Sequence, residues 1–274
     1  MPRSEKSAKR PPAAPLTAAL PQVVRERLAQ IGRLADAQGV RAWAVGGCVR
    51  DTLLGRLPSE IDVAVEGDGA ALALALAQDT GGTLTRHEQF GTASVVLGSA
   101  ALKARGGRQV LPVARAADGA VTHVDFAMCR KETYDAPGAY PRVSPGTLDE
   151  DLTRRDFTIN AMALQVQGRA FGALVDPRHG RDDLQARQLR ALHPRSFLDD
   201  PSRILRGVRF AQRFGCVFEP QTQQWLASAI REGTLERLNR GRWRKELLLM
   251  LEEPRPLDCL RQLGRLLEEA APRP

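Results

Sequence analysis

The stretch from Ala44 to Glu66, AVGGCVRDTLLGRLPSEIDVAVE, constrains this chain more than any other. The apolar run AWAV reads as a strand, and it breaks at Gly46-Gly47 into a short helical pattern. A second strand then carries Glu60 and Asp62. Residues two apart on a strand point the same way, so both carboxylates face one side, beside a glycine turn at a helix start. Paired carboxylates hold Mg²⁺ together with substrate phosphates. A glycine turn into a helix presents backbone N–H groups to further phosphate. A third carboxylate, Asp125, sits in the alternating run VTHVDFA (121–127), read as a neighbouring strand. Acids so placed can clamp the attacking and leaving oxygens of an in-line displacement through two metals. The combination points to metal-dependent chemistry on a nucleoside triphosphate. Taken alone, the same pattern also describes an ordinary turn with exposed strand acids.

The chain has 274 residues, enough for one large domain or two small ones, and its 43% hydrophobic and 26% charged content is that of a soluble globular protein. No apolar run approaches the ~18 residues of a membrane span. The N-terminal MPRSEKSAKRPPAAP lacks the apolar core of an export signal and reads as a disordered basic tail over 1–20. The net charge of +8 fits a polyanionic partner, and equally an arginine-rich solvated surface, since 35 of the 40 basic residues are arginine. Cys48, Cys129, Cys216 and Cys259 form no CxxC pair, which points to reduced, buried thiols and a cytoplasmic location.

Helical spacing of Val24, Leu28, Ile31 and Leu34 predicts a helix over 20–37. Strand 42–46, helix 48–55, strand 60–66, helix 70–78 and strands 83–87, 92–97 and 121–127 follow. The 98–120 stretch is poorly patterned. Residues 128–150, rich in Pro, Gly and Ser, read as a long functional loop. Beyond 150 helices dominate, at 149–162, 180–187, 200–214, 219–232 and 240–252, with a small hairpin in 163–176. The expected class is α+β: a mixed-sheet head over 21–150 and a helical part over 151–274.

Three further constellations carry chemistry. In Arg154-Arg155-Asp156-Phe157-Thr158-Ile159-Asn160, adjacent arginines suit a triphosphate, and Asp156 and Asn160, four apart on the expected helix, suit a ribose hydroxyl. In Asp199-Asp200-Pro201-Ser202-Arg203, proline marks a helix start and sets Asp200 and Arg203 one turn apart. A carboxylate that accepts from an exocyclic amine, beside an arginine that donates to a ring nitrogen, matches cytosine and adenine and rejects guanine and uracil. A capping aspartate with a helical ion pair looks the same. Finally, Arg203, Arg206, Arg209, Arg213, Arg240, Arg242, Arg244 and Lys245 form a basic helical face that could track an RNA backbone. Phe210, Phe214, Trp225 and Trp243 among them read as packing.

In order, the strings AVGGCVRDTLLG, EIDVAVEGDG, HEQFGTASV, HVDFAMCRKETYDAPGAYPRV, LDEDLTRRDFTINAMAL, LVDPRHGRDDL and LHPRSFLDDPSRILRGVRFAQRFG resemble the class II tRNA nucleotidyltransferase and bacterial poly(A) polymerase family across about 22–250. The resemblance implies a nucleotidyltransferase-fold head, a helical neck and Mg²⁺-dependent transfer from CTP or ATP to the 3′ end of tRNA. It implies Glu60 and Asp62 as metal ligands, with Gly46, Gly47, Arg50 and Asp51 lining the triphosphate. Arg154, Arg155, Asp156 and Asn160 would lie near ribose and phosphates, and Asp200, Arg203 and Arg206 near the base. The family motif is usually Asp-x-Asp, so Glu60 is a departure. Asp199 likewise replaces the usual Glu of the template. Family members are commonly longer, which implies a weaker tRNA grip here, or one shared with a second subunit or partner. Full CCA addition, CC addition, A addition and poly(A) synthesis stay open. The intact loop 128–150, shortened in CC-only relatives, and the VEGDG string favour an activity that includes A.

Overall fold

The computed structural model describes residues 15–87, 91–97, 122–136 and 138–270. The expectations for 98–120 and for most of the N-terminal tail lie outside the described residues. Residues 16–20, however, belong to the folded unit rather than to a tail. Leu16–Ala18 is a 3-10 turn, the Leu16 N–H donates to the Gly172 carbonyl at 2.7 Å, and Leu20 is buried.

Helix α1 (Gln22–Gln38) buries Val24, Leu28 and Ile31 as their spacing requires, and Gly39 ends it in the left-handed conformation. Strand β1 (Arg41–Val45), helix α2 (Gly47–Leu53), strand β2 (Ile61–Glu66), helix α3 (Gly69–Thr80) and strands β3 (Thr83–His87), β4 (Thr92–Val96) and β5 (His123–Met128) follow. Asp68 caps α3 by accepting from the Ala70 and Ala71 N–H groups. Strands β8 (Ala163–Gln165) and β9 (Leu174–Val175) then close the sheet, whose order is β3-β4-β5-β2-β1-β8-β9. Only β2 and β5 run parallel; the other neighbours are antiparallel. The head sheet therefore extends past the expected boundary at 150, and the small hairpin in 163–176 is its edge.

Two other expectations are corrected. The loop over 128–150 is largely a hairpin, β6 (Arg130–Thr133) paired antiparallel with β7 (Arg142–Pro145). The helix expected over 149–162 is only α4 (Leu148–Thr153), started by a capping box between Thr147 and Glu150. Residues 158–160 form a separate 3-10 turn.

The neck comprises α5 (Gly180–Gln185), α6 (Ser196–Asp199), α7 (Ser202–Phe214), α8 (Pro220–Arg231), α9 (Arg240–Leu251) and α10 (Pro256–Ala270), plus a short parallel pair, β10 (Gln188–Leu189) and β11 (Val217–Phe218). One continuous apolar core runs from Leu28, Ile61 and Phe126 in the head to Phe157, Phe197, Ile204 and Leu226 in the neck. Phe157 stands at the junction, its ring centroid 6.1 Å from Phe210 and 6.4 Å from Phe197. All four cysteines are buried and unpaired. Among the described residues no helix is long and apolar enough to cross a membrane.

Close backbone approach makes Gly32 necessary. A Cβ there would lie 1.9 Å from the Val166 carbonyl oxygen, where α1 crosses the β8 edge. Gly32→Ala is expected to cost about 1–3 kcal/mol by overpacking, read as a lower urea midpoint at unchanged m-value. An unaltered midpoint would refute the tight crossing.

Candidate active site

Parallel pairing of β2 with β5 sets Asp62 directly opposite Asp125. Glu60 lies in the bend just before β2, not within the strand as expected, and still belongs to the same charged cluster. Burial, Glu60 and Asp125 push the Asp62 carboxyl up to about 7, opposed by Arg155 and Arg50. Burial and Asp125 likewise raise Glu60. Asp125 is instead held low: burial would raise it, but bonds from His123 and Ser94 outweigh that. His123 Nε2 lies 3.0 Å from Asp125 Oδ1, and Ser94, its register partner on β4, donates to the same oxygen.

The glycine turn adjoins these acids. Gly46 has φ +66°, and a Cβ there would meet Arg155 Nη1 at 2.9 Å and Asp62 Oδ2 at 3.7 Å. Its own N–H donates to the Met162 carbonyl at 3.2 Å, so Gly46 does not offer that N–H to a phosphate; Gly47 opens α2.

The arginines near the site are held by acids of the protein. Asp151, 1% exposed, receives Arg154 at 2.6 Å and Arg155 at 2.9 Å. Arg154 also reaches Glu132 of the hairpin at 2.9 Å. Arg50 is buried. It donates to Asn160 Oδ1 at 2.6 Å and to Asp51 Oδ1 at 2.9 Å, with its guanidinium 4.4 Å from the Phe214 ring centroid. Asp156 and Asn160 do not share an α-helix, but the bend between them brings Asn160 Nδ2 to Asp156 Oδ1 at 3.0 Å. Arg206 then donates to Asp156 Oδ2 at 2.6 and 2.9 Å.

The expected Asp200–Arg203 pair is not an ion pair. Arg203, buried, donates to Ser196 Oγ at 2.8 Å and to the Arg154 carbonyl at 2.6 Å. Asp200 accepts from the Ser202 N–H and hydroxyl and pairs with Arg242. The basic face divides. Arg206, Arg209 and Arg213 pair with Glu246 and Glu253, while Arg240, Arg244 and Lys245 on α9 are exposed. Sequence reasoning missed Asp151, Ser94, His123 and the role of Arg242. Asp151 had a signal, three and four residues before the two arginines; the others depend on register and on long-range packing.

The donor set fits a hard divalent cation. It is all carboxylate oxygen, and burial disfavours the ionised forms of Glu60 and Asp62, which a bound cation would restore. Among the described residues no three or more His, Cys, Asp and Glu side chains enclose a metal by themselves.

Fold and site together define a nucleotidyltransferase head joined to a helical neck. A family model described as Poly A polymerase head domain matches residues 42–190. The A-adding tRNA nucleotidyltransferase of Aquifex aeolicus is 41% identical over 232 residues, 84% of this chain and 26% of that protein. The A-adding tRNA nucleotidyltransferase of Halalkalibacterium halodurans is 36% identical over 246 residues, 87% of this chain and 52% of that protein. Among solved structures, an apo form of a CCA-adding enzyme superposes with a TM-score of 0.79 at 35% identity, covering 93% of this chain and 55% of the other. Thermotoga maritima CCA-adding enzyme complexed with tRNA gives 0.73 at 33% identity, covering 93% and 54%. The chain belongs to the class II tRNA nucleotidyltransferase and bacterial poly(A) polymerase family. It spans about a quarter to about half of the length of these two curated relatives.

Asp156 should leave a pH signature. Burial would raise its carboxyl, but Arg206 and Asn160 outweigh that and bring it down to about 2. A depressed carboxyl stabilises the fold above its ordinary value near 4, and that stabilisation is lost as pH falls towards 2. The difference, ~2 kcal/mol, should vanish over that window. Accordingly, the stability gap between the native chain and Asp156→Asn should narrow from pH 4 to pH 2. A constant gap would contradict the assignment.

Proposed function

We propose that this chain transfers AMP, CMP or both from ATP and CTP to the 3′ end of tRNA, releasing pyrophosphate. The observation that carries the proposal is the pair Asp62 and Asp125, set side by side by β2–β5 pairing and joined by Glu60 from the bend before β2, against the Gly46 turn and Arg155. The similarity to A-adding enzymes and to a structure with tRNA supports the substrate class. The hairpin Arg130–Pro145 and the A-adding names of the two relatives favour an activity that includes A.

In the proposed reaction the RNA 3′ hydroxyl gives up its proton to solvent as its oxygen bonds to the α-phosphorus, and the bond from that phosphorus to the bridging oxygen of the β-phosphate breaks, so that pyrophosphate leaves. Glu60 and Asp62 would hold Mg²⁺, which when bound neutralises charge building on the phosphates. Arg155, fixed by Asp151, offers its positive charge beside Asp62 without having to reorganise. Asp200 and Arg203 lie at the N-terminus of α7, where the base would be read. The unpaired cysteines accord with a cytoplasmic location.

The test is extension of tRNA transcripts ending at the discriminator base, at C and at CC, with Mg²⁺ and each nucleotide. Growth of the CC-ended transcript by a single A means A addition, growth of all three to CCA means complete synthesis, and long A tails mean poly(A) synthesis. Asp62→Asn should lower incorporation at least a thousandfold with the unfolding midpoint retained. Arg203→Ala should raise use of GTP and UTP relative to ATP and CTP. A folded chain that binds ATP and extends nothing would favour a non-catalytic relative. Glu60 in the usual aspartate position is the observation behind that second reading, and recovery with Glu60→Asp would identify the acid as limiting.

A further inference from the structure

The template carboxylate is oriented by a residue forty positions away from its own helix start. Ser202 N–H donates to Asp200 Oδ1 at 3.0 Å, the Ser202 hydroxyl at 2.6 Å, and Arg242 of α9 pairs with the same oxygen. Arg242 Nη2 also reaches Ser202 Oγ at 3.3 Å, closing the triangle. No described residue bonds Oδ2. Arg203 does not contribute to this arrangement, because its guanidinium is tied to Ser196 and to the Arg154 carbonyl. The Arg242–Asp200 pair is sheltered, with side chains 24% and 18% exposed. Arg242 is itself seated by the hairpin: its guanidinium lies 5.9 Å from the Tyr140 ring centroid, and Asn239 Nδ2 donates to the Tyr140 hydroxyl at 3.0 Å.

We infer that Arg242 is a positioning residue for base choice. With Ser202 it pins one oxygen of Asp200 and leaves the other to accept from the exocyclic amine of adenine or cytosine. An unpinned carboxylate turns about its terminal torsion and offers either oxygen in many directions, since that torsion is broad. A pinned one presents a single acceptor, and a base with a carbonyl at that position leaves both acceptors unpaired. Tyr140, in the turn between β6 and β7, connects this device to the hairpin, which therefore braces the base site.

The inference rests on the template reading of Asp200 and Arg203 above, and direct nucleotide binding separates the two. ATP and GTP would be titrated calorimetrically into the full chain with Mg²⁺. The native chain should favour ATP. Arg242→Met should cut that preference about tenfold, chiefly by weakening ATP, and Arg242→Lys, which keeps the charge on Oδ1, should restore most of it. Combined with Asp200→Asn, Arg242→Met should add no further loss, because it acts through that carboxylate. If Arg242→Met does not fold, Tyr140→Leu, which removes only the seat, should cut the preference about threefold. An unchanged ATP/GTP ratio in the variant, equal weakening of both nucleotides, or full additivity with Asp200→Asn would overturn the role of Arg242. A native chain that binds ATP and GTP equally would overturn the template reading, and this inference with it.

Discussion

Asp156 is the group on which the junction of head and neck depends. It is buried, and its two oxygens face different ways: Oδ1 accepts from Asn160 and from the Phe157 N–H, Oδ2 from Arg206. Asn160 in turn receives Arg50 of α2, directly after the glycine turn, and Arg206 leans towards Glu246 of α9 at 3.8 Å. A charge at this depth is tolerated only because each lone pair has a partner. The carboxylate thereby ties the Gly46 turn, the RRDFTIN bend and the neck helices to one point. Stacking of Arg50 against Phe214 adds an apolar contact along the same line.

The same logic continues down the neck. Arg206, Arg209 and Arg213 repeat at helical spacing on α7, and Glu246 and Glu253, seven apart, come from α9 and the turn beyond it. Together with Asp156 the three arginines face three acids. Arg209 is buried with its Nε hydrogen unpaired, and burial lowers its pKa. The arrangement is therefore costly in desolvation, and its gain lies in registry: charges seven residues apart admit one sliding position of α9 against α7. That position is the one that brings Arg242 to Asp200.

This explains which parts of the site were legible in the sequence. Asp62 and Asp125 could be placed on strands from alternation, because a strand period of two leaves little freedom, whereas Glu60 joins them from the bend before β2 and not by that period. The left-handed Gly46 could be read from the glycine pair. Arginines at helical spacing were legible as a face but not as a destination, since whether guanidiniums meet phosphate or carboxylate depends on a helix forty residues away. Glu246 and Glu253 were the available signal. Asp156 and Asn160 came together as expected for the wrong reason: their contact arises from a bend into a 3-10 turn, not from an α-helical face. The hairpin over 130–145 was read as a loop because its strands are short and interrupted by Pro and Gly, and the backbone pairing that defines it is invisible to composition.

The distribution of charge also indicates what the site must receive. Arg154 and Arg155 are balanced by Asp151 and Glu132, Arg206 by Asp156, and Asp125 by His123 and Ser94. Glu60 and Asp62 are the exceptions, each raised by burial and by the other acids, offset only in part by His123 and Arg50 at Glu60 and by Arg155 and Arg50 at Asp62. A polyphosphate alone would be repelled there, and a cation alone would lack half of its oxygen shell. Under the proposed function, a nucleoside triphosphate carrying its own divalent cation would satisfy both demands, and its binding would draw Glu60 and Asp62 to their ionised forms.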